Sequence, residues 1–162
     1  KFAKDYNLNI VYSFTFLRNP YERMFSAWNY CMYNNDTTGT AVKNKIRKQY
    51  NTFEHFIKNI QESKQIQPLL FTYTMCDFIC DKDGNVIIDY VGDITKMESQ
   101  FYEIQTINPY HKETLQFPEK RVNVTEHDDW RLHYTPEIAD IVYQHWKVDF
   151  DKFDYDKDSY IK

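Results

Sequence analysis

The chain has 162 residues, 24 of them acidic and 20 basic, giving a net charge of −4 and a pI near 5.7. That length is expected to form one domain without a disulfide or metal staple, and the acidic balance excludes a general nucleic-acid binder, which is normally basic. Hydrophobic residues at 42% and charged residues at 27% exclude a disordered protein, and an aromatic share of 18% predicts a core built from rings.

From the amino end, Ile10 to Leu17 (IVYSFTFL) is a compact apolar and aromatic run with the length and composition of a buried strand. Arg18-Asn19-Pro20 ends it. Asn19 is a good N-cap, Pro20 suits the first helical position and Glu22 the third, so a helix is predicted from about Pro20 to Tyr33. Met24, Phe25, Trp28 and Met32 form its core side, and Asn34-Asn35-Asp36 terminates it. Residues 36–51, with Lys43, Lys45, Arg47 and Lys48, read as a polar, mobile excursion whose solvated charges can attract an anionic sugar. A second helix is predicted from Thr52 to about Ser63, capped by Thr52, with Phe53, Phe56, Ile57 and Ile60 apolar. Cys76 to Cys80 and Val86 to Val91 read as the strands of a hairpin turning through Asp81-Lys82-Asp83-Gly84-Asn85. A third helix, from about Thr95 to Ile107, turns Met97, Phe101 and Ile104 inward and stops at Asn108-Pro109. Residues 110–129 are loop-like. Thr135-Pro136-Glu137 opens a last helix with Ile138, Ile141, Val142, His145 and Trp146 at helical spacing, and an acidic, solvated tail from Asp149 to Asp158 follows. Strands interleaved with helices predict α/β layers.

Several signals resolve simply. No apolar run reaches the roughly 18 residues of a membrane span. The odd set Cys31, Cys76 and Cys80 reads as reduced thiols. Asp81-x-Asp83-Gly84 and Asp154-x-Asp156-x-Asp158 only partly match calcium loops, the glycine or the closing glutamate being wrong, and Cys76 and Cys80 have no matching histidine pair, so no metal is expected. Asn35-Asp36-Thr37 and Asn123-Val124-Thr125 match the glycosylation acceptor pattern. Only Gly39, Gly84 and Gly92 are glycines, where average usage predicts about eleven, and no glycine-rich phosphate cradle fits their spacing.

Arg18 to Ser26 is the richest stretch. Arg18 stands where a strand ends, the edge at which open α/β sheets bind ligands. The helix that follows offers N–H groups and a partial positive charge at its start, and Arg23 and Ser26 share one of its faces. Two guanidinium forks and a hydroxyl suit a phosphate group, which arginine pairs bidentately. The alternative is an ordinary capped helix with Arg23 paired to a surface carboxylate.

Phe14 to Tyr30 (FTFLRNPYERMFSAWNY) resembles the 3′-phosphate-binding segment of sulfotransferases that use 3′-phosphoadenosine 5′-phosphosulfate (PAPS), a strand followed by R-N-P-x-x-R-x-x-S-A. Within that family it resembles the carbohydrate sulfotransferases of the Golgi type and their bacterial counterparts. The resemblance continues at Gln67-Pro68, Asp89 to Asp93, Met97 to Phe101 and Asn123 to Thr125, and ends in Tyr134 to Glu137 through Asp149 to Phe153. It implies a P-loop-NTPase-like α/β fold with a central, mainly parallel sheet flanked by helices, in a single domain over residues 1–162 whose N-terminal part is absent. It implies transfer of a sulfuryl group from PAPS to a hydroxyl acceptor such as a carbohydrate, leaving 3′,5′-adenosine bisphosphate, with no metal. It places Arg18 and Ser26 on the 3′-phosphate, Arg23 beside them as ligand or brace, and Arg121, Asn123 and Thr125 near the nucleotide.

The family also has a lysine-bearing loop for the 5′-phosphosulfate upstream of the R-N-P strand. Nothing from Lys1 to Ser13 resembles it, so the natural protein is expected to continue upstream of Lys1. The catalytic base of the related enzymes generally lies in that same region. Within these residues His55, Glu54 and His127 are available, and none is assigned. The rival reading is a non-catalytic domain that keeps the fold and binds a nucleotide or a protein. A kinase is disfavoured by the lack of a Walker arrangement for Mg²⁺. Glycosylation at Asn123 would block a nucleotide site there, which favours a cytoplasmic, bacterial protein over a Golgi luminal one.

Overall fold

The computed structural model describes residues 12–35, 39–60, 72–108, 116–118 and 127–161. In chain order it contains strand β1 (Phe14–Leu17) and helices α1 (Pro20–Tyr33), α2 (Thr40–Gln49) and α3 (Phe53–Asn59). Next come the single turn α4 (Cys76–Ile79), strand β2 (Tyr90–Asp93), a 3₁₀ turn (Ile94–Lys96) and α5 (Met97–Ile107). A second 3₁₀ turn (Trp130–His133), α6 (Pro136–His145) and α7 (Lys147–Lys152) complete the list. The chain divides into two compact units, one drawn from residues 1–18 and 79–120, the other from 19–78 and 121–162.

In the first unit β1 and β2 pair in parallel, with Phe14 opposite Tyr90, Thr15 opposite Val91, Phe16 opposite Gly92 and Leu17 opposite Asp93. Parallel pairing needs a long crossover, and these strands are separated by most of the second unit's sequence. Gly92 is required by close approach: a Cβ there would lie 2.6 and 2.8 Å from the Phe16 ring and 3.0 Å from Gln100 Oε1. The start of the pair is tied by Ser13, whose N–H and hydroxyl both donate to Asp89 Oδ2 at 2.8 Å. Those two donors hold the Asp89 carboxyl below its ordinary value. After the strand, Asp93 caps the 3₁₀ turn by accepting from the Thr95 N–H at 2.8 Å, while its own N–H donates to Gln100 Oε1 at 2.7 Å. Helix α5 begins at Met97, inside the predicted span, and buries Ile104 while Met97 and Phe101 stay half-buried.

The expected hairpin is a correction. Cys76–Ile79 is helical, and only Cys80 and Val86 form an antiparallel bridge. The physical reason is a local capping pair: the Thr74 N–H and hydroxyl donate to Asp77 Oδ2, each at 2.7 Å, and the Asp77 N–H donates back to Thr74 Oγ1 at 3.0 Å. The turn itself forms as expected, with the N–H groups of Asp83 and Asn85 donating to Asp81 Oδ1 and Gly84 at φ 80. Past Val86 the chain leaves the bridge, and Tyr90–Asp93 pairs with β1 instead.

The second unit holds the aromatic core. Tyr21, Phe25, Phe53, Phe56, Trp146 and Phe150 are all buried. Ring pairs meet edge to face, among them Tyr21 with Phe150 at 4.9 Å and Phe25 with Phe53 at 5.3 Å. Each such pair adds about 0.5–1.5 kcal/mol beyond area burial. The predicted caps are in place: Asn19 accepts from the Tyr21 N–H, Thr52 from that of His55, and Thr135 from that of Ile138.

Two expectations are overturned in this unit. Residues 40–49 are helix α2, not a solvated loop, and Lys43 and Ile46 are buried. Lys43 and Arg47 turn inward because the end of α1 presents carbonyls that lack helical partners, while Lys45 and Lys48 stay exposed. Arg47 donates from Nε to Cys31 O and from Nη2 to Asn34 O, both at 2.8 Å. The Lys43 ammonium donates to Asn34 Oδ1 at 3.0 Å and lies 4.3 Å from the centre of the Tyr30 ring. The acidic segment is solvated at Asp151, Asp154, Asp156 and Asp158, as expected, but not at its start. Residues 147–152 form α7, Phe150 enters the core, and Asp149 is 0% exposed. The predicted extension of the second helix beyond Ile60 lies outside the described residues.

Candidate functional site

Arg18 directly follows β1 and is half-buried. Asn19 opens the second unit as the N-cap of α1: its Oδ1 accepts from the Tyr21 N–H at 2.9 Å, and Pro20 takes the first helical position. This changes the expectation of an open helix start. Pro20 has no N–H to offer, and that of Tyr21 is already taken by the cap.

The cap is itself held. Asn19 Nδ2 donates to Ser159 Oγ at 2.8 Å, and the Tyr21 hydroxyl donates to Lys157 O at 2.7 Å. The Tyr134 hydroxyl donates to Tyr21 O at 2.8 Å. Burial, then the neighbouring Tyr160, pushes the Tyr21 hydroxyl above its ordinary value, and burial does the same to Tyr134, so both remain protonated donors at neutral pH.

Arg23, one turn into α1, donates from Nη1 to Tyr73 O at 2.8 Å. Trp146 Nε1 donates to the same carbonyl at 3.3 Å. Beneath this segment, Asp149 accepts from the N–H groups of Met75 at 2.7 Å and Cys76 at 3.0 Å. Burial lowers the pKa of Arg23, and the charge of Asp149 offsets part of that effect. Burial raises the Asp149 carboxyl, while the two N–H donors and Arg23 pull it back. Arg23 therefore braces the 73–76 segment through a main-chain carbonyl, with the buried Asp149 carboxylate as an electrostatic neighbour, in place of the surface carboxylate considered from sequence. Ser26 lies on the same helix and is half-buried.

Arg121, Asn123 and Thr125, and the Gln67-Pro68 pair, lie outside the described residues. Of the residues available as a base, Glu54 is exposed and pairs with Lys58 at 2.7 Å. His55 is exposed and edges onto Tyr50 at 5.5 Å. His127, also exposed, has Nδ1 2.7 Å from Asp128 O and meets the Phe25 ring at 5.2 Å.

Sequence reading missed a dyad beside His127. His133 Nε2 is 2.6 Å from Asp128 Oδ1, and its ring stacks on Phe25 at 4.4 Å. The His133 contact is the main reason the Asp128 carboxyl sits below its ordinary value. The pair spans five residues into a 3₁₀ turn, a spacing that carries no periodic signal. Reading also missed Asp149, whose signal was available: Trp146 and Phe150, four apart, continue a helical apolar stripe through it.

Arg18 ends the strand segment of the first unit, and Ser26 stands on the first helix of the second. Among the described residues no group of three or more His, Cys, Asp or Glu side chains could hold a metal, and no helix is long and apolar enough to cross a membrane. Cys31, Cys76 and Cys80 are free thiols.

Comparison with known proteins gives one positive finding. The model of the sulfotransferase family matches residues 2–156. No curated protein and no solved structure matches the chain. A match over nearly all of the chain, with a parallel strand pair and the strand–turn–helix passage of the R-N-P segment inside it, settles the lineage. The chain belongs to the sulfotransferase family.

Proposed function

We propose that this protein moves a sulfuryl group from PAPS to a hydroxyl of a carbohydrate acceptor and releases 3′,5′-adenosine bisphosphate. The observation that carries the reading is the order Arg18, Arg23, Ser26 across a strand-to-helix passage, inside a stretch matched by the sulfotransferase family. In this reading Arg18 pairs with the 3′-phosphate and Ser26 donates its hydroxyl to it. Arg23 holds the 73–76 segment behind them, and Arg121 and Asn123 belong to the nucleotide's surroundings.

The 3′-phosphate lies away from the reacting sulfur, so its binding energy serves to position the donor. In the transfer an acceptor oxygen forms a bond to sulfur in line as the bond from sulfur to the leaving phosphate breaks. The hydroxyl proton passes to a base, and fixed positive charge stabilises the leaving phosphate.

The test is transfer of label from radiolabelled PAPS to a panel of mono- and oligosaccharides by the full natural chain, beside Arg18→Ala. A charge-assisted bond of about 1.5–3 kcal/mol predicts that Arg18→Ala lowers kcat/KM by roughly 10- to 150-fold. An unchanged rate would overturn the assignment of Arg18. Bisphosphate binding without transfer to any acceptor would instead leave a nucleotide-binding domain with a sulfotransferase fold.

A further inference from the structure

The family match ends at residue 156, yet residues 157–160 lie against the start of α1. The contacts are specific. Ser159 Oγ accepts from Asn19 Nδ2 at 2.8 Å, and Lys157 O accepts from the Tyr21 hydroxyl at 2.7 Å. The Tyr160 ring meets Tyr21 at 5.5 Å. Ser159 is itself fixed from behind, since Arg131 Nε donates to its carbonyl at 3.1 Å while the guanidinium lies 4.3 Å from the centre of the Trp130 ring.

The consequence falls on Asn19. An N-cap asparagine uses one end of its amide to hold the helix start, and its other end is normally left to water. Here Oδ1 receives the Tyr21 N–H and Nδ2 is engaged by Ser159, so both ends are occupied and the amide has one orientation. Asn19 is peptide-bonded to Arg18 and starts the helix that carries Ser26.

We infer that Ser159 is a positioning residue of the donor site: through Asn19 it fixes the R-N-P turn in the form that receives the 3′-phosphate. The inference rests on the proposed 3′-phosphate site and extends the set of residues serving it beyond the stretch matched by the family. Ser159 does not touch the nucleotide. It acts through the orientation of the cap, so its removal affects recognition of the 3′-phosphate and leaves the rest of nucleotide binding intact.

The test is calorimetric titration of the full natural chain with 3′,5′-adenosine bisphosphate and, separately, AMP, for wild type, Ser159→Ala and Ser159→Thr. Losing one net hydrogen bond predicts a roughly three- to tenfold weaker bisphosphate complex for Ser159→Ala. AMP affinity stays within about twofold, and Ser159→Thr, which keeps the hydroxyl, restores the bisphosphate affinity. Wild-type bisphosphate affinity in Ser159→Ala overturns the inference, and so does an equal loss for both nucleotides, the mark of a merely structural role. A wild type that prefers the bisphosphate to AMP while Ser159→Ala is unaffected removes this inference alone. A wild type with no such preference removes the 3′-phosphate site and the inference together.

Discussion

Asp149 offers the sharpest quantitative check on the architecture. Its carboxylate is 0% exposed and accepts from the Met75 and Cys76 N–H groups at 2.7 and 3.0 Å. Replacing it by alanine strands two main-chain donors and removes the carboxylate that faces the charge of Arg23. Each buried donor left unsatisfied costs about 1–3 kcal/mol, so two cost about 2–6 kcal/mol. Asp149→Ala is therefore expected to lose about 2–6 kcal/mol. For a chain of this size that is a drop of roughly 4–24 °C in Tm. Asp149→Asn keeps one acceptor and is expected to lose about half as much. Asp151, two residues on, is the control. It is exposed and pairs with Lys147 at 2.6 Å four residues earlier, so Asp151→Ala is expected to stay within about 0.5 kcal/mol. Urea unfolding followed by tryptophan fluorescence measures all three. Asp149→Ala within about 1 kcal/mol of wild type would show that water satisfies the 73–76 segment, and would refute the bracing role given to Asp149.

Other sites make independent checks. A Cβ on Gly92 would lie 2.6 Å from the Phe16 ring, so Gly92→Ala is expected to cost about 1–3 kcal/mol by denaturant midpoint, and a neutral result would contradict the close approach. Arg47→Ala strips two bonds from the end of α1, at 2.8 Å each, and is expected to cost about 1–3 kcal/mol by the same assay. Asp89 is expected to titrate below the ordinary 3.8 by carboxyl NMR, and Ser13→Ala to move it back up. Its folded value is depressed, so the stability it adds is present above the unfolded carboxylate range of about 3.9 and is lost as pH falls through the folded value. An Asp89 titration indifferent to Ser13→Ala would remove the Ser13 contact as its cause.

Local chemistry was legible where it was local. Asn19-Pro20, Thr52 and Thr135-Pro136 announce helix starts through side chains that reach only two or three residues, and the structure has those starts. Residues 40–49 misled because their charges were counted as solvation. Lys43 and Arg47 instead satisfy carbonyls and a side chain at the end of α1, groups whose proximity no periodicity reveals. The 76–91 region misled because β-forming residues outweighed one capping pair, Thr74 with Asp77, and because the true partner of β2 is a strand 76 residues earlier. The R-N-P segment was legible as a strand end and a capped helix start from its residue types. Its supports were not: Tyr73 O lies 50 residues from Arg23, and Ser159 lies 140 residues from Asn19.

The central claim, that the R-N-P passage recognises a 3′-phosphate, is tested most directly by calorimetry of the full natural chain with 3′,5′-adenosine bisphosphate and AMP, beside Arg18→Ala and Ser26→Ala. The account predicts tighter binding of the bisphosphate, with that preference lost in Arg18→Ala by roughly 10- to 150-fold and weakened in Ser26→Ala by about 2- to 13-fold. Equal affinity for the two nucleotides, or a preference that survives Arg18→Ala, would contradict it.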